Sequence, residues 1–195
     1  MAGRILPRAF YRRDARAVAP ELLQKVLVHG GRAARIVEVE AYAGHDDPGS
    51  HAYRGRTPRT EIMFGPAGHL YVYFSYGMHW CANVVCGDDG VAMAVLLRAG
   101  APVAGLDEIR RDRPAARSDR DLCNGPGKLC QALEIGKGQN GADLVAGALG
   151  GVRIVDDGMP PPAQPGTSPR VGLSAGADLR WRWFVPGEPN LSRRR

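Results

Sequence analysis

Two carboxylates, Glu38 and Glu40, stand two residues apart in the run Ile36-Val-Glu-Val-Glu-Ala-Tyr42. Extended backbone sends alternate side chains to opposite faces, so Ile36, Glu38, Glu40 and Tyr42 share one face. A carboxylate there can take a proton from water or steady a developing cation. The plain alternative is a solvent-facing strand surface. The run leads straight into residues 43–69, rich in Gly, Pro, Asp, His and Arg, and active sites gather where strands end in loops. That loop carries His45, Asp46, Asp47 and His51, donors that suit zinc or iron. Their spacing matches no familiar ligand motif, so no metal is expected. Arg54, Arg56 and Arg59 are spaced to meet a phosphodiester backbone, or are solvated charges.

A second group of candidates lies in Leu70-Tyr-Val-Tyr-Phe-Ser-Tyr76, where Tyr71, Tyr73 and Ser75 share a face. Tyrosines in strands usually belong to cores or interfaces. Tyr76, however, sits beside Gly77 at the tip of an expected hairpin, poorly placed for burial and suited to wedging between stacked bases. Asn83 interrupts an apolar strand, where its amide must find partners or destabilise the fold. Gly125-Pro-Gly-Lys128, at a helix start, offers unpaired N–H groups beside an ammonium, an anion site by its chemistry. It lacks the glycine spacing and following Ser or Thr of a phosphate-binding Walker loop. The serine-hydrolase, zinc-protease, dinucleotide and zinc-deaminase signatures are absent as well.

The elements that would position these residues follow from punctuation and periodicity. Pro20 to Leu27 reads as a short helix with proline at its first position. Val26-Leu-Val-His29 turns at Gly30-Gly31 into the strand Arg35–Tyr42. Leu70–Tyr76, His79–Val85 and Val91–Arg98, joined at Gly77 and Gly87-Asp-Asp-Gly90, read as an antiparallel meander. Leu106–Arg113 and Asn124–Ile135 read as helices, the second with cap candidates before Pro126. Pro160–Pro169 is a proline-rich surface loop, and a last strand lies around Trp181–Val185. Strands in runs with peripheral helices make the class α+β, a single mixed domain over residues 1–195.

At 195 residues the chain is long enough to bury a core without a disulfide or metal staple. Its longest apolar run, Val91–Leu97, is far short of a membrane span, and MAGRILPRAF is no signal peptide, so a cytoplasmic protein is expected. Cys81, Cys86, Cys123 and Cys130 show no zinc or redox spacing and read as buried thiols. The net charge is +6, and of 26 basic residues only Lys25, Lys128 and Lys137 are lysines. Guanidinium pairs with phosphate through two parallel bonds, which favours a nucleic-acid partner, although biased codon usage produces the same composition. Residues 1–60 hold 11 basic and 6 acidic side chains. The charge is thus weighted to one end.

Taken together, RIVEVEAYAG, HAYRGRTPRT, GHLYVYFSYGMHWCANV, VLLRA and LCNGPGKLCQAL resemble the alkyladenine (3-methyladenine) DNA glycosylase family. In order and spacing the blocks span roughly residues 7–145, with weaker RVG and RWRWFV pieces beyond. The resemblance implies a mixed domain whose β-hairpin enters the minor groove of double-stranded DNA. It implies hydrolysis, by a monomer without metal or cofactor, of the N-glycosidic bond of a flipped, damaged purine. Position by position, Glu40 matches the general base and Arg98 a residue near the catalytic water and target phosphate. Tyr42, His51 and Tyr73 match walls of the base pocket, and Asn83 the residue that screens out guanine. Tyr76 matches the intercalating residue, with Met78, Arg56 and Lys128 as further DNA contacts. His79 and Trp80 depart from the aromatics of vertebrate members, and the 159–169 segment does not align.

The implied chemistry is physically coherent. An alkylated purine is cationic, so its glycosidic bond is already weakened, and a tyrosine face attracts it by about 0.5–2 kcal/mol. Flipping costs a few kcal/mol, and least where damage has weakened stacking. No lysine falls at the matched pocket positions, so strand cleavage through a Schiff base is not expected. Two other readings stay open from the residues alone. One is a carbohydrate glycosidase using Glu38 and Glu40 as a pair. The other is a non-catalytic module stacking single-stranded bases on Tyr71 and Tyr73.

Overall fold

One antiparallel sheet runs through the chain in the spatial order β1 (Arg4–Ile5), β7 (Arg153–Asp156), β2 (Val26–His29), β3 (Arg32–Ala43), β6 (Met93–Ala104), β5 (His79–Cys86) and β4 (Leu70–Ser75). β8 (Gly166–Ser168) pairs with β9 (Arg182–Phe184), and β9 lies against β3 over Glu38–Glu40. The computed structural model describes residues 3–146 and 151–192. The arginine run at 193–195 lies outside the described residues. With four short helices, α1 (Arg8–Tyr11), α2 (Ala15–Leu22), α3 (Leu106–Asp112) and α4 (Pro126–Ala132), set around the sheet, the class is α+β.

β3 and β6 form the spine. Their register slips around Glu38, so that Val37 and Arg98 fall opposite no partner between the pairs Ile36↔Gly100, Glu38↔Ala99 and Val39↔Leu97. Such a bulge bends the strand and re-aims side chains, and it sits where the candidate chemistry lies. The apolar core, including Val39, Leu70, Val84, Val95 and Leu97, is covered by α2 and α4.

Several boundaries differ from the sequence reading. The first long helix runs over Ala15–Leu22, not from Pro20. Asp14 caps it by accepting the Arg16 N–H at 2.8 Å, and Ala15, Val18, Ala19 and Leu22 form its buried stripe. Pro20 is tolerated in the last turn, where its missing N–H forfeits only the bond to the Arg16 carbonyl. α4 stops at Ala132 rather than Ile135, and no side chain caps it: Asn124 accepts from Lys128 instead. The proline-rich loop is not wholly surface, because β8 forms inside it and Ser168 is buried. Loop 43–69 is ordered by 3-10 turns at Gly44–Asp46 and Glu61–Phe64, with Ala52 and Met63 packed beside Tyr71. The Gly30-Gly31 hairpin and the meander stand as read, and all four cysteines are buried and free.

The β4–β5 hairpin protrudes with Tyr76 (φ 50°) and Gly77 (φ 63°) both left-handed, closed by the Met78 N–H on the Ser75 carbonyl at 3.1 Å. A left-handed tyrosine costs about 1–2 kcal/mol, and this one is 82% exposed. Beside the hairpin turn, Gly127 of α4 meets His79, whose ladder partner is Ser75. A Cβ there would stand 2.7 Å from the His79 Cβ, so only glycine lets helix and hairpin approach so closely.

Candidate active site

Glu40 leaves β3 on the same face as Glu38 and Tyr42, as period-two alternation requires. It is fully buried. Its Oε1 accepts the Val171 N–H at 2.8 Å and lies 3.3 Å from Arg98 Nη1, while its Oε2 accepts the Tyr42 hydroxyl at 2.9 Å. Tyr42, Arg98 and Val171 in turn line a cleft of about 400 Å³, inside the usual range for small-molecule sites. The carboxylate thus stands directly behind three residues of the cleft wall.

The remaining walls include His51, Arg59, Tyr71, Tyr73, Tyr76 and Asn83. Tyr71 and Tyr73, neighbours on one face of β4, are stacked with centroids 5.6 Å apart. His51 meets Tyr73 edge-on at 4.5 Å, and its Nδ1 lies 3.1 Å from the Tyr71 hydroxyl. Loss of water around that ring, with Arg59 beside it, lowers the His51 pKa to about 4, so the imidazole is neutral at pH 7. Burial raises the phenols of Tyr42, Tyr71 and Tyr73 above their ordinary value, keeping them neutral too. The Arg170 guanidinium covers one face of Tyr42 at 4.6 Å, and Arg59 lies over Tyr73 at 5.4 Å. Asn83 is buried and donates to the Tyr71 carbonyl at 3.2 Å.

Six of the site residues implied by the family resemblance are therefore together in the cleft wall, Tyr42, His51, Tyr73, Tyr76, Asn83 and Arg98, and Arg59, Tyr71 and Ser75 join them. Glu40 is behind it. Met78 is 67% exposed on the hairpin and is not one of the residues that line the cleft. Arg56 pairs with Glu61 at 2.9 Å and lies over Phe64. Lys128 is committed to Asp121, and to Asn124 at 2.8 Å, so the ammonium at the α4 start carries its own counter-charge. Asp47, a metal candidate by type, is spent on an arginine. Its carboxylate takes both Arg170 nitrogens, at 2.5 and 2.7 Å, and the N–H groups of Ala43 and Gly49.

Sequence reasoning missed the C-terminal half of this site. Arg170 bonds Asp47 and the Ala41 carbonyl, which brings the adjoining Val171 N–H onto Glu40. Glu38, read as an exposed strand residue or one of a glycosidase pair, is fully buried. It accepts Arg98 Nε at 2.8 Å, Arg182 Nε at 2.7 Å, and the Ser192 N–H and hydroxyl at 2.7 Å each. Burial works against its charge, but Arg182, Arg98 and Ser192 outweigh it and hold the carboxyl below its ordinary value. A carboxylate so occupied is no general acid, which removes the paired-carboxylate reading. The RVG piece, with Gly172 at φ 77°, was the available signal for this segment.

Comparison with known proteins matches residues 9–189 to the model of the methylpurine-DNA glycosylase family. A protein of Burkholderia cenocepacia named as a 3-methyladenine DNA glycosylase is 58% identical over 97% of this chain and 92% of its own length. Proteins of the same name from Streptomyces avermitilis and Chlorobaculum tepidum are each 45% identical, over 96% and 94% of this chain and 90% and 88% of their own lengths. No described helix is long and apolar enough to cross a membrane.

Proposed function

Since the chain belongs to the methylpurine-DNA glycosylase family and is a DNA-repair hydrolase of the 3-methyladenine DNA glycosylase type, we propose that it works as a monofunctional enzyme on bases flipped out of duplex DNA. The observation that carries this reading is Glu40, a buried carboxylate held by Tyr42, Arg98 and Val171 immediately behind an aromatic cleft. In it Glu40 takes a proton from the attacking water and stabilises the oxocarbenium-like sugar. Tyr42, His51 and Tyr73 sandwich the base, and Asn83 screens it. Arg98, whose charge Glu40 and Glu38 sustain against the cost of burial, faces the water and the target phosphate. The proposed substrates are cationic alkylpurines such as 3-methyladenine and 7-methylguanine, whose leaving group needs no protonation. The protein acts in the cytoplasm as a one-domain monomer over residues 1–195, without metal or cofactor.

Oligonucleotides carrying single 3-methyladenine, 7-methylguanine, hypoxanthine or ethenoadenine lesions test the reading directly. Released base with an intact abasic strand is expected for the cationic lesions. Release of no base, or cleavage of the strand itself, would sink it.

Tyr76 is the proposed wedge, with Met78, Arg56 and Lys128 as flanking contacts to DNA. Aromatic stacking on a base contributes about 1–3 kcal/mol. Tyr76→Ser should therefore weaken lesion-duplex binding by roughly 5- to 150-fold in fluorescence anisotropy, with Tm nearly unchanged because the side chain covers no core. Equal affinity in the two proteins would remove the wedge.

A further inference from the structure

Arg98 is shared. Its Nε donates to Glu38 at 2.8 Å, its Nη1 lies 3.3 Å from Glu40, and its Nη2 donates to the Ser192 hydroxyl at 3.3 Å. The two strands place these groups for a structural reason. Arg98 is the bulged residue of β6, opposite the gap beside Glu38 in β3, so one guanidinium reaches two carboxylates of the same strand face. Glu38 is anchored by Arg182 of β9, which pairs in register with Glu40 and donates its Nε to the same Oε1 that takes Arg98, and by the Ser192 hydroxyl on Oε1 and main chain on Oε2. Two buried arginines thus face two buried glutamates, and the four charges cancel.

The consequence lies in what Arg98 would do alone. A guanidinium facing one carboxylate closes on it with two parallel hydrogen bonds. Closed on Glu40, it would add two charged donors to oxygens that already accept from Val171 and Tyr42, and so weaken the carboxylate as a proton acceptor. We infer that Glu38 is a positioning residue: by holding Arg98 through Nε, it keeps the guanidinium from closing on Glu40 and so preserves Glu40 as a proton acceptor. The inference rests on the reading of Glu40 as general base and goes beyond it in giving the second carboxylate a task.

Other charged or titratable groups also face Glu40. They are Tyr42 from its own strand, Tyr73 of β4, Cys81 of β5, Arg182 of β9, and Arg170 with its partner Asp47 beyond Tyr42. None of them is altered in the test below except Arg182, which is changed to restore neutrality.

The experiment is single-turnover base release as a function of pH, with thermal melts run in parallel. For the parent enzyme the rate should rise with pH along an acidic limb to a plateau. Glu38→Gln removes the competing anion, so Arg98 turns to Glu40. The limb should move at least half a pH unit lower and the plateau should fall about 10-fold or more. Because this variant leaves one buried arginine uncompensated, the double variant Glu38→Gln/Arg182→Gln restores neutrality and should show the same displaced limb. Glu38→Asp, which keeps the charge, should leave the limb nearer its parent position than Glu38→Gln does. A folded Glu38→Gln or double variant with an unmoved limb overturns the inference. Failure of both to fold also overturns it, by assigning Glu38 to folding alone. A parent protein that releases no base at any pH would instead defeat the reading of Glu40 itself.

Discussion

Glu40→Gln is expected to lower single-turnover base release by roughly 10²- to 10⁴-fold while lesion duplex remains bound, the range that loss of a general base produces. The substitution keeps the shape of its site but, like Glu38→Gln, leaves one buried arginine uncompensated, so a thermal melt accompanies it. The amide oxygen can still accept the Val171 N–H, and the amide nitrogen can donate to the Tyr42 hydroxyl oxygen in place of accepting from it. The cleft walls, Tyr42, His51, Tyr73 and Asn83, stay where they are. What disappears is the capacity to take a proton and to face a cationic sugar with negative charge. Rate is measured with enzyme in excess over a single-lesion duplex, and affinity by anisotropy on the same duplex. Excision at the parent rate would remove Glu40 as base. Loss of both rate and binding, with an unchanged melt, would make it a binding residue.

The largest expected effect on stability comes from a residue outside the cleft wall. Asp47 and Arg170 are both wholly buried and joined by two hydrogen bonds. Asp47→Ala leaves a guanidinium without its counter-charge and strips the Ala43 and Gly49 N–H groups of their acceptor. Breaking a buried pair from one side costs about 3–5 kcal/mol, or roughly 6–20 °C in Tm for a domain of this size. Replacing both partners is cheaper. In Asp47→Ala/Arg170→Met no charge is stranded, and methionine suits the rings of Tyr42 and Trp181 that Arg170 now covers. The double variant should recover most of the lost Tm by calorimetry. It should not recover base release, since Val171 would no longer be tied to Glu40 through Arg170. Full recovery of release would show that Val171 needs no such anchor.

The hairpins were legible because their signals are local. Gly30-Gly31 and Gly77 supply left-handed backbone where a strand must reverse, and apolar runs flank each turn. Period-two alternation is equally local, and it placed Glu40 beside Tyr42, and Tyr71 beside Tyr73, without reference to anything distant. The start of α2 was less legible. Asp14 is a sound cap, but Pro20 competes as a helix opener, and only the buried stripe of Ala15, Val18, Ala19 and Leu22 decides between them.

By itself, then, the sequence determined that Glu40 and Tyr42 leave one strand face, where the chain turns, and which aromatic stands at a hairpin tip; Ile36, read onto the same face, is turned by the bulge at Val37 into the core with Val39 and Ala41. Tertiary structure decided which of those faces meets water. Glu38 and Glu40 read as a polar strand surface until β9, Val171 and Ser192, more than 130 residues further along the chain, close over them. Backbone geometry propagates over neighbouring residues and can be read in order. Burial of a charge depends on which distant partner arrives to compensate it, and no local pattern carries that choice.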